Sequence, residues 1–181
     1  MSGRLIGVVG PSGVGKDTVM EGLAARRPGL GLVRRVITRP GYAVGEAFED
    51  VSAEEFERRV QAGDFTLHWG AHGLRYGVPR ETEARLDGGE DLLVNLSRSV
   101  LGEAQARFPG FTTLHLTAPR EVLAGRLAAR GREGRADIEA RLSRASLALP
   151  EGLERVIEIS NAGPLEATLA AIDARLYPEK E

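Results

Sequence analysis

The sequence predicts an α/β fold, in which helices cover both faces of a parallel β-sheet. Three observations lead to this prediction. Short apolar runs alternate with longer segments of helical pattern, a glycine-rich turn joins the first run to the first helix, and the run over residues 91–96 has the apolar character of a fully buried strand. Strands that alternate with helices pair in parallel, because each connecting helix crosses one face of the sheet.

The turn between the first strand and the first helix has the pattern of a phosphate-binding P-loop. Nine residues are predicted to bind the nucleotide: Gly10, Pro11, Ser12, Gly13, Val14, Gly15, Lys16, Asp17 and Thr18. The glycines allow successive N–H groups to face one anion, and the N-terminus of the following helix adds positive potential. Lys16 is expected to reach the β- and γ-phosphates and is a predicted catalytic residue. The alternative is a structural turn with a solvated lysine.

The residue after this lysine departs from the usual P-loop pattern. A serine or threonine normally follows the lysine and contacts Mg²⁺, whereas this chain has Asp17 and only then Thr18. A carboxylate oxygen can hold the ion directly or through a water molecule. We therefore predict Asp17 as the metal ligand, Mg²⁺ as the cofactor and ATP as the co-substrate.

The composition is that of an ordinary globular protein. The chain has 181 residues, 42% of them hydrophobic and 28% charged, with a formal net charge of −2 and no cysteine. This balance disfavours a nucleic-acid binder. No apolar run approaches the ~20 residues of a membrane span, and no signal peptide precedes the first strand. We expect one cytoplasmic domain over residues 1–181 that acts on small molecules, in an oligomeric state that the sequence leaves open.

The elements follow in order from apolar runs and the turns that bound them. Strands are expected at residues 5–9, 32–37, 65–69, 91–96, 111–116 and 156–160. Helices are expected after the P-loop and at about 52–63, 79–86, 97–108, 119–129, 137–149 and 164–176. Residues 38–46 and 70–79 are expected to be loops because they are rich in glycine and proline. Ser52 and Glu55 form a capping box at the start of their helix.

An arginine-rich segment in the C-terminal third is predicted to be a lid. Its arginines are Arg130, Arg132, Arg135, Arg141 and Arg144. Phosphoryl transfer needs cations that neutralise the transferring group, on an element that excludes water. We predict a lid over about 130–145, with Arg130 and Arg141 as catalytic residues. The alternative is a solvated amphipathic helix with its loop.

Two polar residues, Arg39 and Tyr76, are candidates for binding a second phosphate. Arg39 follows a predicted strand and Tyr76 lies in a predicted loop, where each can anchor a phosphate. His68 and His72 are four residues apart, but their flanking residues predict strand and loop rather than helix. Because no carboxylate stands at ligand spacing, a zinc site is disfavoured.

Several segments occur in the same order as in guanylate kinases. They are the P-loop, Thr38-Arg39-Pro40, Val51-Ser52 with Glu55-Phe56, Gly63 with Phe65, Tyr76-Gly77, Arg126 with Arg130, Arg141-Leu142 and Asn161. The chain resembles that family over nearly its whole length. The resemblance implies a P-loop NTPase core, an acceptor-binding insert at about 38–80 and the lid. It also implies that Arg39 and Tyr76 hold the phosphate of the acceptor.

The chain departs from guanylate kinases where that family reads guanine. Leu67 replaces a glutamate, and Asn95-Leu96-Ser97 replaces an Asp-x-Asp pattern after the central strand. An apolar side chain leaves the polar edge of a base unpaired, which costs about 1–3 kcal/mol for each group. We therefore expect an acceptor other than a guanine nucleotide.

A narrower resemblance is to the ribose 1,5-bisphosphate phosphokinases of phosphonate catabolism. It rests on the P-loop with its Lys16-Asp17 pair, on residues 37–40, on the run over residues 67–79 and on residues 130–133, whereas Ala47 and Phe48 depart from that family's pattern. It implies the conversion of ribose 1,5-bisphosphate and ATP into 5-phosphoribosyl 1-diphosphate and ADP. His68, His72 and Asn95 would suit the hydroxyl groups of a sugar.

Two other functions stay open from the sequence. One is a divergent nucleoside monophosphate kinase. The other is a non-catalytic binding module of guanylate-kinase type, although such a module needs neither Lys16 nor an arginine-rich lid.

Overall fold

The computed structural model describes residues 2–39, 47–131, 134–145 and 148–179. Its strands are β1 (Leu5–Val9), β2 (Leu30–Leu32), β3 (Val36–Ile37), β4 (Glu49–Asp50), β5 (Phe65–Ala71), β6 (Leu74–Pro79), β7 (Asp91–Asn95), β8 (Thr112–Thr117) and β9 (Val156–Ser160). Its α-helices are α1 (Lys16–Arg26), α2 (Ala53–Ala62), α3 (Glu81–Asp87), α4 (Leu101–Arg107), α5 (Arg120–Arg130), α6 (Arg135–Ala145) and α7 (Leu165–Leu176). A 3₁₀ helix, Arg98–Val100, precedes α4.

The larger sheet is parallel throughout, with the strand order β2-β7-β1-β8-β9. Ile6 and Val8 of β1 pack in one core with side chains from α1, α5, α6 and α7. Leu5 and Val9 of the same strand pack in a second core with side chains from α3 and α4. Because alternate residues of a strand face opposite sides, helices cover both faces of the sheet. The predicted α/β architecture is confirmed.

The smaller sheet is mixed and has the order β4-β3-β6-β5. β3 pairs in parallel with β4 and antiparallel with β6, which is also antiparallel to β5. Helix α2 packs on this sheet through Phe56, whose ring stacks on Phe65 with 4.8 Å between the ring centroids. These elements lie between residues 36 and 79, and all of them except β3 fall in the range of about 38–80 predicted for an acceptor-binding insert.

The prediction of one strand over residues 32–37 is wrong. Leu30–Leu32 pairs with β7 in the larger sheet, and Val36–Ile37 pairs with β6 in the smaller one. The backbone N–H of Val33 still donates to the carbonyl of Leu93, after which the chain leaves the larger sheet. The apolar run is therefore shared between two sheets.

The prediction of a loop over residues 70–79 is also wrong. Leu74–Pro79 is the second strand of a hairpin, paired with β5 from Ala71 opposite Leu74 to Phe65 opposite Pro79. His72 and Gly73 form the tip with φ angles of 53° and 74°. A two-residue turn with positive φ at both positions matches the twist of the strands that it joins.

The helix starts and stops agree with the capping residues of the sequence. The Ser52 hydroxyl accepts a hydrogen bond from the N–H of Glu55 at 3.1 Å, and Gly63 ends α2 with a φ of 75°. Ser97 caps the 3₁₀ helix that leads into α4. α6 ends at Ala145, and residues 146 and 147 of the helix predicted to reach 149 lie outside the described residues. Within the described residues, no helix has the length and apolar character needed to cross a membrane.

Candidate active site

The P-loop stands between β1 and α1, as predicted. Gly13 and Gly15 have φ angles of 84° and 93°, which residues with a side chain rarely adopt. A Cβ atom on Gly10 would lie 2.6 Å from the carbonyl oxygen of Leu116, so a larger residue would have to displace the neighbouring strand. The Lys16 ammonium donates to the carbonyl of Gly10 at 2.8 Å and lies folded over the loop.

Two side chains from the C-terminal half hold the P-loop in place. The Asn161 amide donates to the Val14 carbonyl at 2.8 Å and accepts from the Thr168 hydroxyl at 2.8 Å. Arg126 of α5 donates to the carbonyls of Val14 and Asn161, at 3.2 and 2.7 Å. The resemblance to guanylate kinases includes Arg126 and Asn161 without giving either a partner. The structure shows that they join the P-loop to α5 and to the segment after β9.

A cleft of about 430 Å³ opens beside the P-loop. The residues that line it include Gly15, Thr18, Arg126, Arg130 and Gly163. The cleft adjoins the N-terminus of α1, where backbone N–H groups and the helix dipole attract phosphate. It can therefore take the nucleoside part of a nucleotide whose phosphates lie in the P-loop. Of the two lid arginines predicted to be catalytic, Arg130 lines this cleft.

Helix α6, which we call the lid helix, lies over the P-loop. Arg141 donates from Nη1 to the hydroxyl of Ser12 at 3.0 Å, and Leu142 is buried in the core that α1 and α5 share. Arg144 donates from Nη1 to Nδ1 of His72 at 3.1 Å, which joins the lid helix to the hairpin of the smaller sheet. The structure thus brings Arg141 and Lys16 to the same loop, whereas Arg132 lies outside the described residues.

The smaller sheet presents an apolar wall toward the larger one. Leu67 and Trp69 of β5 are buried in the core of α3 and α4, with Leu67 fully inaccessible at 0% exposure. Tyr76 stacks on Trp69 with 5.4 Å between ring centroids and 7° between ring planes. The Arg35 guanidinium lies 5.1 Å from the centroid of the Tyr76 ring. Tyr76, a predicted phosphate ligand, is therefore held in place by a stacked aromatic pair.

Arg39 stands two residues after the end of β3. Its Nε is buried and has no hydrogen-bond partner among residues 2–39, 47–131, 134–145 and 148–179, and its guanidinium carbon lies 4.3 Å from the centroid of the Phe48 ring. Phe48, one of the two residues that depart from the family pattern, thus supports a predicted phosphate ligand by a cation–π contact. The loop predicted from residue 38 onward is described only to Arg39, and residues 40–46 lie outside the described residues.

The three remaining candidates lie in different places. Asn95 ends β7 opposite Val8 of β1, at the edge from which the P-loop departs. His72 at the hairpin tip contacts the lid helix. His68 is exposed between the buried Leu67 and Trp69, on the face of β5 opposite the apolar wall, and the structure does not bring it together with the other candidates.

Arg98 has no assignment from the sequence, yet its chemistry matches that of the predicted site residues. It begins the 3₁₀ helix that follows Asn95 and the carboxyl end of β7. Its Nε and Nη2 are buried and have no hydrogen-bond partner in the part of the chain that the structure describes, and burial lowers the pKa of its guanidinium. In open α/β sheets, ligands bind outside the carboxyl ends of the strands, so an arginine three residues past such an end is the signal in the sequence that points here.

The residues present fit a magnesium ion that is held mainly by its nucleotide. The described part of the chain has no group of three or more His, Asp or Glu residues that could form a metal cage. Asp17 is half-buried in the first turn of α1, and no described residue donates a hydrogen bond to its carboxylate or pairs with it. Mg²⁺ usually takes one or two carboxylates together with phosphate oxygens and water, and Asp17 can be such a ligand.

Comparison with known proteins adds the family. The family model described as an AAA domain matches residues 6–145. The chain is 53% identical over 178 residues to the ribose 1,5-bisphosphate phosphokinase PhnN of Ruegeria sp. strain TM1040, covering 98% of this chain and 94% of that protein. It is 46% identical over 176 residues to the protein of the same name from Pseudomonas fluorescens strain SBW25, covering 93% and 92%.

The fold is also similar to that of a solved guanylate kinase. The crystal structure from Anaplasma phagocytophilum superposes with a TM-score of 0.61 at 21% identity, over 94% of this chain and 81% of that one. This likeness confirms the predicted guanylate-kinase-like fold with its P-loop core.

Proposed function

The chain belongs to the family of ribose 1,5-bisphosphate phosphokinases, and from this membership we propose that it transfers the γ-phosphoryl group of ATP to ribose 1,5-bisphosphate. The products are 5-phosphoribosyl 1-diphosphate and ADP, and phosphonate catabolism is the proposed context. The cytoplasm stays the predicted location.

The observation that supports this acceptor is the burial of Leu67. Its side chain has no exposed surface and packs with Trp69 in an apolar wall. A site that reads a purine base needs polar partners for the edge of the base, and leucine supplies none. A sugar bisphosphate requires instead cations for its phosphates and polar groups for its hydroxyls. Arg39, Tyr76 and Asn95 are the residues that we assign to this task.

The proposed reaction needs little from the protein beyond alignment and charge. An oxygen of the acceptor phosphate is already anionic at neutral pH, so it can attack the γ-phosphorus without a general base. One O–P bond forms, the bond to the β,γ-bridging oxygen breaks, and ADP leaves. Lys16 and Arg141, which the structure places at one loop, would neutralise the charge on the transferring group. Mg²⁺, when bound through Asp17 or a water on it, would supply further positive charge to the phosphates.

Three parts of the chain have separate tasks in this proposal. The core binds ATP, with phosphates in the P-loop and the nucleoside in the cleft beside Arg130. The insert at about 38–80, which contains α2 and three of the four strands of the smaller sheet, binds the acceptor. The lid at about 130–145, which contains α6, closes over the P-loop and excludes water.

The test is a comparison of acceptors under identical conditions. ADP release is measured with ribose 1,5-bisphosphate, GMP and AMP at equal ATP and Mg²⁺, and the product is identified by phosphorus NMR as a sugar with a diphosphate. The expected result is turnover with ribose 1,5-bisphosphate alone. Lys16→Ala is the matched inactive control, expected to lose about 10²–10³-fold or more in kcat. Efficient phosphorylation of GMP would replace the proposal by a nucleoside monophosphate kinase.

A further inference from the structure

We propose that Arg98 binds one of the two phosphates of the acceptor and thereby selects a sugar bisphosphate over a sugar monophosphate. This inference rests on the proposed function, because it assigns a residue to the second anionic group of that acceptor.

The first argument is that the Arg98 guanidinium is incompletely paired within the described residues. Two of its three nitrogens, Nε and Nη2, are buried without a hydrogen bond to any of these residues. Burial alone changes its pKa, with no contribution from a neighbouring carboxylate. Arginine stays protonated in proteins, so this half-buried group is a cation. Buried donors without partners destabilise a fold, and an anionic ligand is a partner that can offset this cost.

The second argument is position. The 3₁₀ helix of Arg98 follows β7, and β7 is the neighbour of the strand that leads into the P-loop. The same 3₁₀ helix packs against β5 of the smaller sheet, since Val100 shares a core with Leu67 and Trp69. Arg98 therefore lies where the two sheets meet, between the nucleotide-binding core and the proposed acceptor-binding insert.

The third argument is a match in number and charge. Arg39, two residues after the end of β3 in the smaller sheet, also has a buried Nε without a hydrogen-bond partner among the described residues. Arg39 and Arg98 thus supply two incompletely paired guanidinium groups from two separate elements, and the proposed acceptor carries two phosphates, at C1 and C5 of ribose. The planar guanidinium forms paired hydrogen bonds to phosphate oxygens. A nucleoside monophosphate would leave one of the two arginines unpaired.

The experiment removes the charge and the hydrogen-bond donors of Arg98 and keeps an unbranched, apolar side chain in their place. Arg98→Met is expected to raise KM for ribose 1,5-bisphosphate by about 10- to 100-fold, the effect of losing hydrogen bonds to a charged group. Ribose 5-phosphate and ribose 1-phosphate are measured as competitive inhibitors of both proteins. Only one of the two should bind more weakly to the variant, because each carries a single phosphate. Arg58→Met, which removes an exposed arginine paired with Glu55 on α2, is the control for net charge and should leave KM unchanged.

A structural role for Arg98 would give a different pattern. An unchanged KM in Arg98→Met, or equal weakening of both monophosphates, would overturn the inference. If the methionine variant does not fold, Arg98→Lys takes its place. Lysine keeps the charge without the paired donors and should weaken the same monophosphate to a smaller extent. An unmodified protein without turnover on ribose 1,5-bisphosphate would contradict the proposed function, whereas turnover with unchanged KM in the variants would contradict Arg98 alone.

Discussion

Arg144 of the lid helix donates a hydrogen bond of 3.1 Å to Nδ1 of His72, at the tip of the β5–β6 hairpin. This contact joins the proposed lid to the proposed acceptor-binding insert, 72 positions apart in the chain. Both side chains are exposed, so the bond contributes little to the stability of the fold. Its effect should appear instead in how the two parts close on a substrate.

We therefore predict that His72→Ala and Arg144→Ala each raise KM for the acceptor by about two- to fivefold, the range of an exposed polar pair. The KM for ATP should stay unchanged, because neither residue touches the P-loop. The double variant is the control, since two residues that act through one contact give a combined effect smaller than the sum. Fully additive effects would show that the contact has no role in closure.

Arg141 contacts the Ser12 hydroxyl in the free protein and is proposed to meet the transferring phosphoryl group in the reaction. Arg141→Ala should lower kcat by about 10²–10³-fold while KM for ATP changes little, because the charge that it meets develops in the transition state. The matched control is Arg120→Ala, which removes an exposed ion pair between Arg120 of α5 and Glu139 of the lid helix. A change confined to KM would make Arg141 a ground-state phosphate ligand.

Asn161→Ala should weaken both the fold and the nucleotide site. The variant removes the buried bonds of Asn161 to the Val14 carbonyl and the Thr168 hydroxyl, which costs about 1–3 kcal/mol of unfolding free energy. The P-loop loses one of its two anchors and keeps the bond from Arg126 to Val14, so KM for ATP should also rise. Urea unfolding and ATP titration measure the two effects. Thr168→Val removes only the second bond, and an equal rise in KM for ATP in that variant would argue against a direct effect through Val14.

Asp17→Ala should raise the Mg²⁺ concentration needed for half-maximal turnover by about tenfold or more, the effect expected when a residue that supports a metal is lost. Asp17→Asn keeps one oxygen ligand, so its Mg²⁺ requirement should lie between those of the unmodified protein and Asp17→Ala. A Mg²⁺ titration at fixed ATP measures the effect. Identical titration curves for all three proteins would mean that Asp17 does not support the metal. Its role would then be the favourable interaction of a carboxylate in the first turn of α1 with the helix dipole.

Stability should fall at high pH through Tyr177. Burial and the hydrogen bond that its hydroxyl donates to Asp91 raise the pKa of Tyr177 to about 12. The ordinary value is about 10, so the neutral side chain stabilises the fold below pH ~10, and this contribution is lost as the pH rises toward the folded pKa. Urea unfolding between about pH 9 and pH 12 should show the decline in the unmodified protein and a smaller one in Tyr177→Phe. Equal slopes would contradict the prediction.

The sequence predicts those features whose cause is local. Gly13 and Gly15 are needed for backbone angles that few other residues adopt, and Ser52 satisfies an N–H three positions away. The P-loop, the helix starts and the strands β1, β7 and β8 could therefore be predicted to within about a residue or two, whereas the run over residues 32–37 is predicted as one strand instead of two. The hairpin over residues 65–79 could not be predicted, because proline and glycine in its second strand indicate a loop and only the pairing with β5 makes it a strand.

The missing part of the candidate site has a different cause. Arg98 looks like any surface arginine in the sequence, and what distinguishes it is burial without a partner, which depends on the packing of the 3₁₀ helix against β5. His68 is separate from the other candidates for a similar reason, because its side chain lies on the face of β5 that points away from the apolar wall. Residue type and spacing indicate which groups can bind phosphate, whereas the tertiary structure decides which of them remain available for it.

The bond from Asn161 to Val14 spans 147 positions, so the nucleotide loop near the start of the chain depends on a residue near its end. On the ribosome, Val14 emerges long before Asn161 and Thr168 are synthesised. A nascent chain that ends before residue 161 thus has the glycines and Lys16 of the loop but lacks this anchor. We therefore expect tight binding of ATP only after this anchor has been synthesised.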